Sequence, residues 1–360
     1  MRKNWLYGFL ALGLVMAACS WPTGPALTPT PPPTATPTAL PTTATSTAPA
    51  VPTDTPIPVP PVIGPESAAS LVSTVIDLSA GWQGDEPARR LAWPAPGEID
   101  VIGPGGLLAV RIDEQTYDAP LPLNLDGIFY DAAPDGASLA AGSPGGPVTL
   151  YDLGGGPISV LDEPSAYGAA YSEDGGWLAV TSANEWAVTI YNARTGERIT
   201  RLTGFETAAP VYGAMVAPGG KTVAWISRAT LQFQDAVTGE MGARLGFEDF
   251  IGAAAFSLDG RTMAVYAASG LYLYNTDGEE LARLEVSEPV RALAFSPDGK
   301  MLAAIYGGAV QLWDGRTLTP IAVLADPPGP FTLLSFSPDG RTLAALKEDK
   351  QLVLWKAAVE

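Results

Sequence analysis

A short turn that recurs along the chain constrains its fold more than any other feature. In its fullest form it reads Ser296-Pro297-Asp298-Gly299. Proline fixes a negative φ there, and glycine takes the left-handed corner that lets two strands leave a hairpin with their twist intact. Turn glycines of this kind fall at Gly97, Gly136, Gly175, Gly220, Gly260, Gly299 and Gly340, with successive spacings of 39, 39, 45, 40, 39 and 41 residues. The flanking apolar runs, such as Leu302 to Ile305 and Val310 to Trp313, are broken by Gly307-Gly308. They are too short for helices and read as strands.

A period near 40 residues built from short strands matches the four-stranded blade of a β-propeller and exceeds a leucine-rich or ankyrin repeat. The chain therefore reads as all-β, with seven antiparallel blades. Leu139-Ala140-Ala141, Leu178-Ala179-Val180, Val223-Ala224-Trp225, Met263-Ala264-Val265, Leu302-Ala303-Ala304 and Leu343-Ala344-Ala345 align as one strand. A later strand ends in Tyr151-Asp152, Tyr191-Asn192, Tyr274-Asn275, Trp313-Asp314 or Trp355-Lys356, with Gln234-Asp235 in the fourth unit and Arg111 in the first. Small residues crowd the strand before each turn, as in Ala253-Ala254-Ala255 and Gly168-Ala169-Ala170. Sheets arranged like spokes meet at the hub, where only Ala and Gly fit, and diverge outward where Leu, Tyr and Trp fill the gap.

The seventh unit stops just after Trp355, with no room for a fourth strand. Val72 to Leu78, an apolar run without a local partner, is expected to supply it and close the ring, which removes the exposed sheet edges of an open fold. Upstream, residues 22–65 hold 15 Pro and 12 Thr among 44, with no Lys or Arg. Such a segment cannot bury a core and reads as a disordered, polyproline-rich stalk. Its upper reach is on the order of 130 Å at ~3.1 Å per residue. Residues 1–18 read as a signal peptide, with Arg2 and Lys3 ahead of an apolar run and Cys19 after two alanines. The expected organisation is thus 1–18 signal, 19–66 linker and 67–360 propeller. Cys19 is the single cysteine, so no disulfide forms within one chain.

Phe-Ser-Pro-Asp-Gly followed by Leu-Ala and then Leu-Trp-Asp resembles the WD-repeat family over about 290 of the 360 residues. The resemblance implies a noncatalytic scaffold for protein or peptide partners and a ring closed by the N-terminal strand. The chain departs from the family pattern in having no histidine and one Trp-Asp pair, Trp313-Asp314. The Asp-His-Ser-Trp network typical of the family therefore cannot form, and packing and turn chemistry must hold the blades. Val15-Met16-Ala17-Ala18-Cys19 resembles a bacterial lipobox, which implies a lipid on Cys19 and a protein anchored on the outer side of a bacterial membrane by that lipid alone. The Ser-Pro-Asp-Gly turns also resemble the periplasmic propeller of the Tol system, which would imply a part in an envelope complex. Seven units and the Leu-Trp-Asp ending favour the WD-repeat side.

The formal charge is −18, and without Arg2 and Lys3 there remain 38 acids against 18 bases. That argues against nucleic acid and an anionic bilayer as docking surfaces and favours a basic partner. Without His, and with its one Cys at the anchor, the chain lacks Ser-His-Asp and Cys-His pairs and His or Cys metal sites. No cofactor or metal is expected, and a monomer suffices. An alternative class, a lactonase-like or lyase-like propeller enzyme, would have to work with channel carboxylates alone. Each connection between blades carries an acid: Glu86, Asp126, Asp162 with Glu163, Glu206, Glu248 with Asp249, Glu288 and Asp326. These connections open on one face, where their charge would focus a negative potential. The loops between second and third strands share that face. Of these Thr181 to Trp186 reads as the longest, and Trp186, Tyr266, Tyr306, Arg228 and Lys347 are the expected contact residues, because Trp, Tyr and Arg dominate interface hot spots.

Overall fold

The computed structural model describes residues 63–357 apart from 83–86, 96, 105, 120, 123–127, 144, 164–165, 183–185, 206–210, 268–269 and 326. The expected signal segment, nearly all of the Pro/Thr stretch and Cys19 lie outside the described residues. The chain enters through a 3-10 turn (Ala68–Ser70) and strand β1 (Leu71–Asp77). Blade 1 follows as β2 (Arg90–Ala95), β3 (Glu98–Gly103), β4 (Gly106–Arg111) and a two-residue β5 (Thr116–Tyr117). Blade 2 is β6 (Ile128–Ala132), β7 (Leu139–Gly142), β8 (Val148–Tyr151) and β9 (Pro157–Leu161). Blade 3 is β10 (Ala166–Tyr171), β11 (Trp177–Ser182), β12 (Ala187–Asn192) and β13 (Arg198–Leu202). Blade 4 is β14 (Val211–Val216), β15 (Thr222–Ser227), β16 (Thr230–Asp235) and β17 (Met241–Gly246). Blade 5 is β18 (Ile251–Phe256), β19 (Thr262–Ala267), β20 (Gly270–Asn275) and β21 (Glu280–Glu285). Blade 6 is β22 (Val290–Phe295), β23 (Met301–Tyr306), β24 (Ala309–Asp314) and β25 (Pro320–Leu324). Blade 7 has β26 (Phe331–Phe336), β27 (Thr342–Lys347) and β28 (Gln351–Ala357), and β1 completes it.

Seven four-stranded antiparallel sheets result, as the turn spacing requires. β1 pairs with β28 over seven residues, from Leu71 opposite Ala357 to Asp77 opposite Gln351, one residue earlier than the sequence suggested. The aligned strands also share a register. Leu139, Leu178, Val223, Met263, Leu302 and Leu343 lie opposite Tyr151, Tyr191, Gln234, Tyr274, Trp313 and Trp355. In blade 4 a glutamine stands where the others place an aromatic, and the bulk has moved across the sheet. Trp225 on β15 is fully buried, stacks on Phe205 at 5.2 Å, and donates its indole N–H to Gln234 Oε1 at 2.8 Å.

Turn chemistry substitutes for the missing histidine network. All seven turn glycines take φ between +66° and +81°. In four blades the turn serine is doubly engaged. Ser172, Ser257, Ser296 and Ser337 donate to the Asp two residues on at 2.5 to 2.8 Å. Each Oγ also accepts the backbone N–H five residues on, from Trp177, Thr262, Met301 and Thr342, at 2.9 to 3.0 Å. Blade 4 lacks both Ser and Asp here, and Gly219 donates instead to Asp174 Oδ2 of the blade 3 turn at 2.8 Å. The turn lattice thereby crosses from blade to blade.

The closing strand is two-faced. Ile76 is buried in the cluster between blades 7 and 1, with Leu352, Leu354 and Val101, whereas Val72 is 60% exposed. Ile76→Asp is expected to cost about 3–5 kcal/mol, the range for losing a core aliphatic and burying a carboxylate. Val72→Asp should stay within about 0.5 kcal/mol. Urea unfolding of both variants checks this contrast.

Candidate functional site

In each blade the first strand runs toward the turn glycine, so the blade-to-blade connections and the loops between second and third strands share the opposite end. This loop face holds the candidate site. Among the described residues, aromatic and acidic side chains of this face come together over blades 5 and 6. The connection into blade 5 exposes Glu248, Asp249 and Phe250, and the Phe250 N–H donates to Asp249 Oδ1 at 2.7 Å. The Ile251 N–H donates to the carbonyl of exposed Arg228 at 2.9 Å, fixing this connection to the blade 4 loop. Tyr266 is the penultimate residue of β19 beside it, its ring lying where a side chain at Gly252 would stand. Burial pushes the Tyr266 hydroxyl up in pKa, and the Asp249 charge adds to that. Tyr306 ends β23 and packs edge-on against Trp313, with ring centroids 6.0 Å apart. Its hydroxyl accepts the Ser287 N–H at 3.3 Å and lies 3.1 Å from Ser287 Oγ, which places it against the connection that carries exposed Glu288. Phe247, next to the acids, turns inward onto Tyr272 and Tyr274.

Other expected contact residues are placed differently. Glu163 is 2% exposed and is no part of a solvated ring. Its carboxylate accepts from Thr189 Oγ1 at 2.5 Å and pairs with Arg201 at 3.6 Å, so it ties the connection to the blade 3 sheet. Its neighbour Asp162 is exposed, and its carbonyl accepts the Tyr191 hydroxyl at 3.1 Å. The Lys347 side chain is 7% exposed, with Nζ 3.0 Å from Gln351 Oε1 and 3.3 Å from Asp349. Its alkyl chain fills the space that Gly329 leaves open, which removes it from the surface. Trp186 is half-buried at φ +50° and packs on the cluster between blades 3 and 4. Thr181 and Ser182 belong to β11, and the longest loop of this kind spans 143–147 in blade 2. Glu86, Asp126, Glu206 and Asp326 lie outside the described residues.

Sequence reasoning missed a polar cluster in the channel. Arg90 on the inner strand of blade 1 stands 3.7 Å from Asp131 of blade 2 and 3.7 Å from Glu173 of blade 3. Blades 1 and 3 are not neighbours, so the second contact links the two blades that flank blade 2. Asp131 Oδ2 also accepts the Tyr171 N–H at 2.9 Å, and burial raises its pKa against these favourable contacts. The sequence gives little signal for it, since Arg90 and Asp131 sit in inner strands but so do Arg291, Thr332 and Ser335. Among the described residues no group of three or more Asp and Glu is arranged to hold a metal ion.

The comparisons with known proteins fit this architecture. The family model described as WD domain, G-beta repeat matches residues 278–314, from the turn before β21 to the end of β24. The matched stretch therefore spans the outer strand of one blade and three strands of the next. No curated protein sequence matches the chain. Among solved structures, a chain of the crystal structure of a mitotic checkpoint complex is similar, with a TM-score of 0.60 and 18% identity. The match covers 89% of this chain and 99% of that one, and at this identity it establishes the shared fold alone. The class defined is a seven-bladed propeller with a WD-type repeat.

One buried acid gives a direct pH test. Asp100 on β3 is 3% exposed, and burial followed by the Glu98 charge pushes its pKa up to about 6. An acid whose folded pKa is raised destabilises the fold once ionised. The penalty is absent below the ordinary value near 3.8, grows as pH rises through that window, and is complete above about 6. Asp100→Asn is therefore expected to raise stability at pH 7.5 by up to about 3 kcal/mol, with the gain vanishing toward pH 4. Urea unfolding of both proteins at the two pH values checks it.

Proposed function

We propose that this chain is a noncatalytic platform that binds a protein or peptide of basic character on its loop face, tethered by a lipid on Cys19 to the outer side of a bacterial membrane. The observation that carries the reading is the sector over blades 5 and 6, where Phe250, Tyr266 and Tyr306 share one face with Glu248, Asp249 and Glu288. Aromatic rings supply contact area, and carboxylates steer and select a cationic partner. A rigid closed ring suits this role because its loops are held in fixed relation. The strong negative balance supports the same reading. The lipobox-like run ahead of Cys19 and the Pro/Thr stretch supply the tether.

The test has two arms. A basic partner captured from the host envelope at low salt should bind at least about tenfold more weakly when Glu248→Gln, Asp249→Asn and Glu288→Gln are combined, and high salt should erase the difference. Equal binding by both forms at low salt contradicts the acidic-face reading. Separately, Cys19→Ser should abolish incorporation of labelled palmitate and release the protein from the membrane fraction. A variant that stays membrane-bound contradicts the tether.

A further inference from the structure

The chain joins the ring at one end of blade 7. Ile63 is fully buried with Ala68, Phe331 and Trp355, and its N–H donates to the carbonyl of Gly340 at 2.8 Å. Gly340 is the turn glycine between β26 and β27, on the face opposite the loop face. Gly64 and Ser67 then close a small ring, with the Gly64 N–H 3.0 Å from Ser67 Oγ and that hydroxyl donating back to the Gly64 carbonyl at 3.1 Å. The 3-10 turn that follows packs against β25 of blade 6. β1 next runs the full height of blade 7, from Leu71 opposite Ala357 to Asp77 opposite Gln351, and Leu78 donates to the carbonyl of Lys350 in the loop face at 3.0 Å.

We infer that Ile63–Ser70 is a mechanical latch, and that β1 is oriented to carry tension between the upstream chain and anything held on the loop face. Antiparallel ladder hydrogen bonds lie perpendicular to the strands. A pull from the Leu71 end of β1 against the Gln351 end of β28 is parallel to the strands and loads all seven register pairs together. Leu71 and Ala357 share one end of the ladder. A pull between the upstream chain and the C-terminus therefore opens the pairs one at a time. The source of such tension rests on the tethered-platform reading. The directional strength does not, and it is measurable with no partner and no lipid.

Cys19 is the single thiol of the chain and, in protein made without its lipid, serves as one handle for force spectroscopy. The second handle is either Glu348→Cys, in the exposed loop just before β28, or a cysteine appended after Glu360. Separation of β1 is expected to need at least about twice the force with the first handle. Equal forces, or the reverse order, overturn the shear geometry. In both pulls the first event should be release of the latch, lengthening the chain by at most about 28 Å for eight residues. Ile63→Ser should abolish that event, and its persistence would overturn the latch. The comparison of the two handles uses the unaltered latch, so it stands even if Ile63→Ser disturbs the ring.

Discussion

The ladder between β1 and β28 is the constraint on which the rest of the structure depends. Blade 7 holds strands from both ends of the chain, so the ring closes only when a segment near the beginning pairs with one near the end. Without it β28 would present an open edge, and the cluster of Ile76, Leu78, Trp82, Leu352 and Leu354 between blades 7 and 1 would lose its covering strand. Other contacts reinforce the seam. The Trp93 indole N–H donates to Ser335 Oγ at 3.0 Å, and Lys356 reaches Asp113 at 2.9 Å. These pairs link residues about 240 positions apart, which makes closure the step with the largest loop entropy to overcome.

Between blades, cohesion comes from fully buried small residues at the hub, Leu or Met at the aligned second-strand position, and Tyr or Trp on the third strand. The Ser-Asp turns add a polar lattice without histidine. Each serine hydroxyl donates to the turn aspartate and accepts from the first residue of the next strand, so the hairpin is fixed by residues within five positions of the serine. Blade 4 shows how far the pattern bends: the Trp225–Gln234 pair keeps the volume and satisfies the indole N–H, and its turn borrows an acceptor from blade 3. The buried charges Asp131 and Glu163 run against this economy, and each keeps an arginine within 3.7 Å, half-buried Arg90 in the first case.

Much of the fold was legible in the sequence because its determinants are local and repeated. A turn glycine at φ > 0 every 40 residues or so, and an apolar strand at a fixed offset from it, survive drift in the individual letters. The absent fourth strand of the last unit pointed to Val72–Leu78 by simple counting. The candidate site was legible only in part. Tyr266, Tyr306, Asp249 and Glu288 converge because their loops share a face, which the repeat implies. Glu163 in a connection and Lys347 at the end of β27 are both buried, because Arg201 and Thr189 in one case, and Gln351, Asp349 and the gap at Gly329 in the other, receive them. Asp349 and Gln351 are local, but Thr189, Arg201 and the gap at Gly329 are brought up by the packing of other strands and connections, which no local pattern encodes. The Arg90 contacts with blades 2 and 3 are invisible for the same reason.

Amide hydrogen exchange along the closing strand tests the account most directly. If β1 is a permanent member of blade 7, amides of Leu71–Asp77 that face β28 will be protected to the same degree as those of β27 inside the same sheet. If they exchange as fast as the exposed turn residue Gly154, the ring is open at that seam, and the account of its closure is wrong.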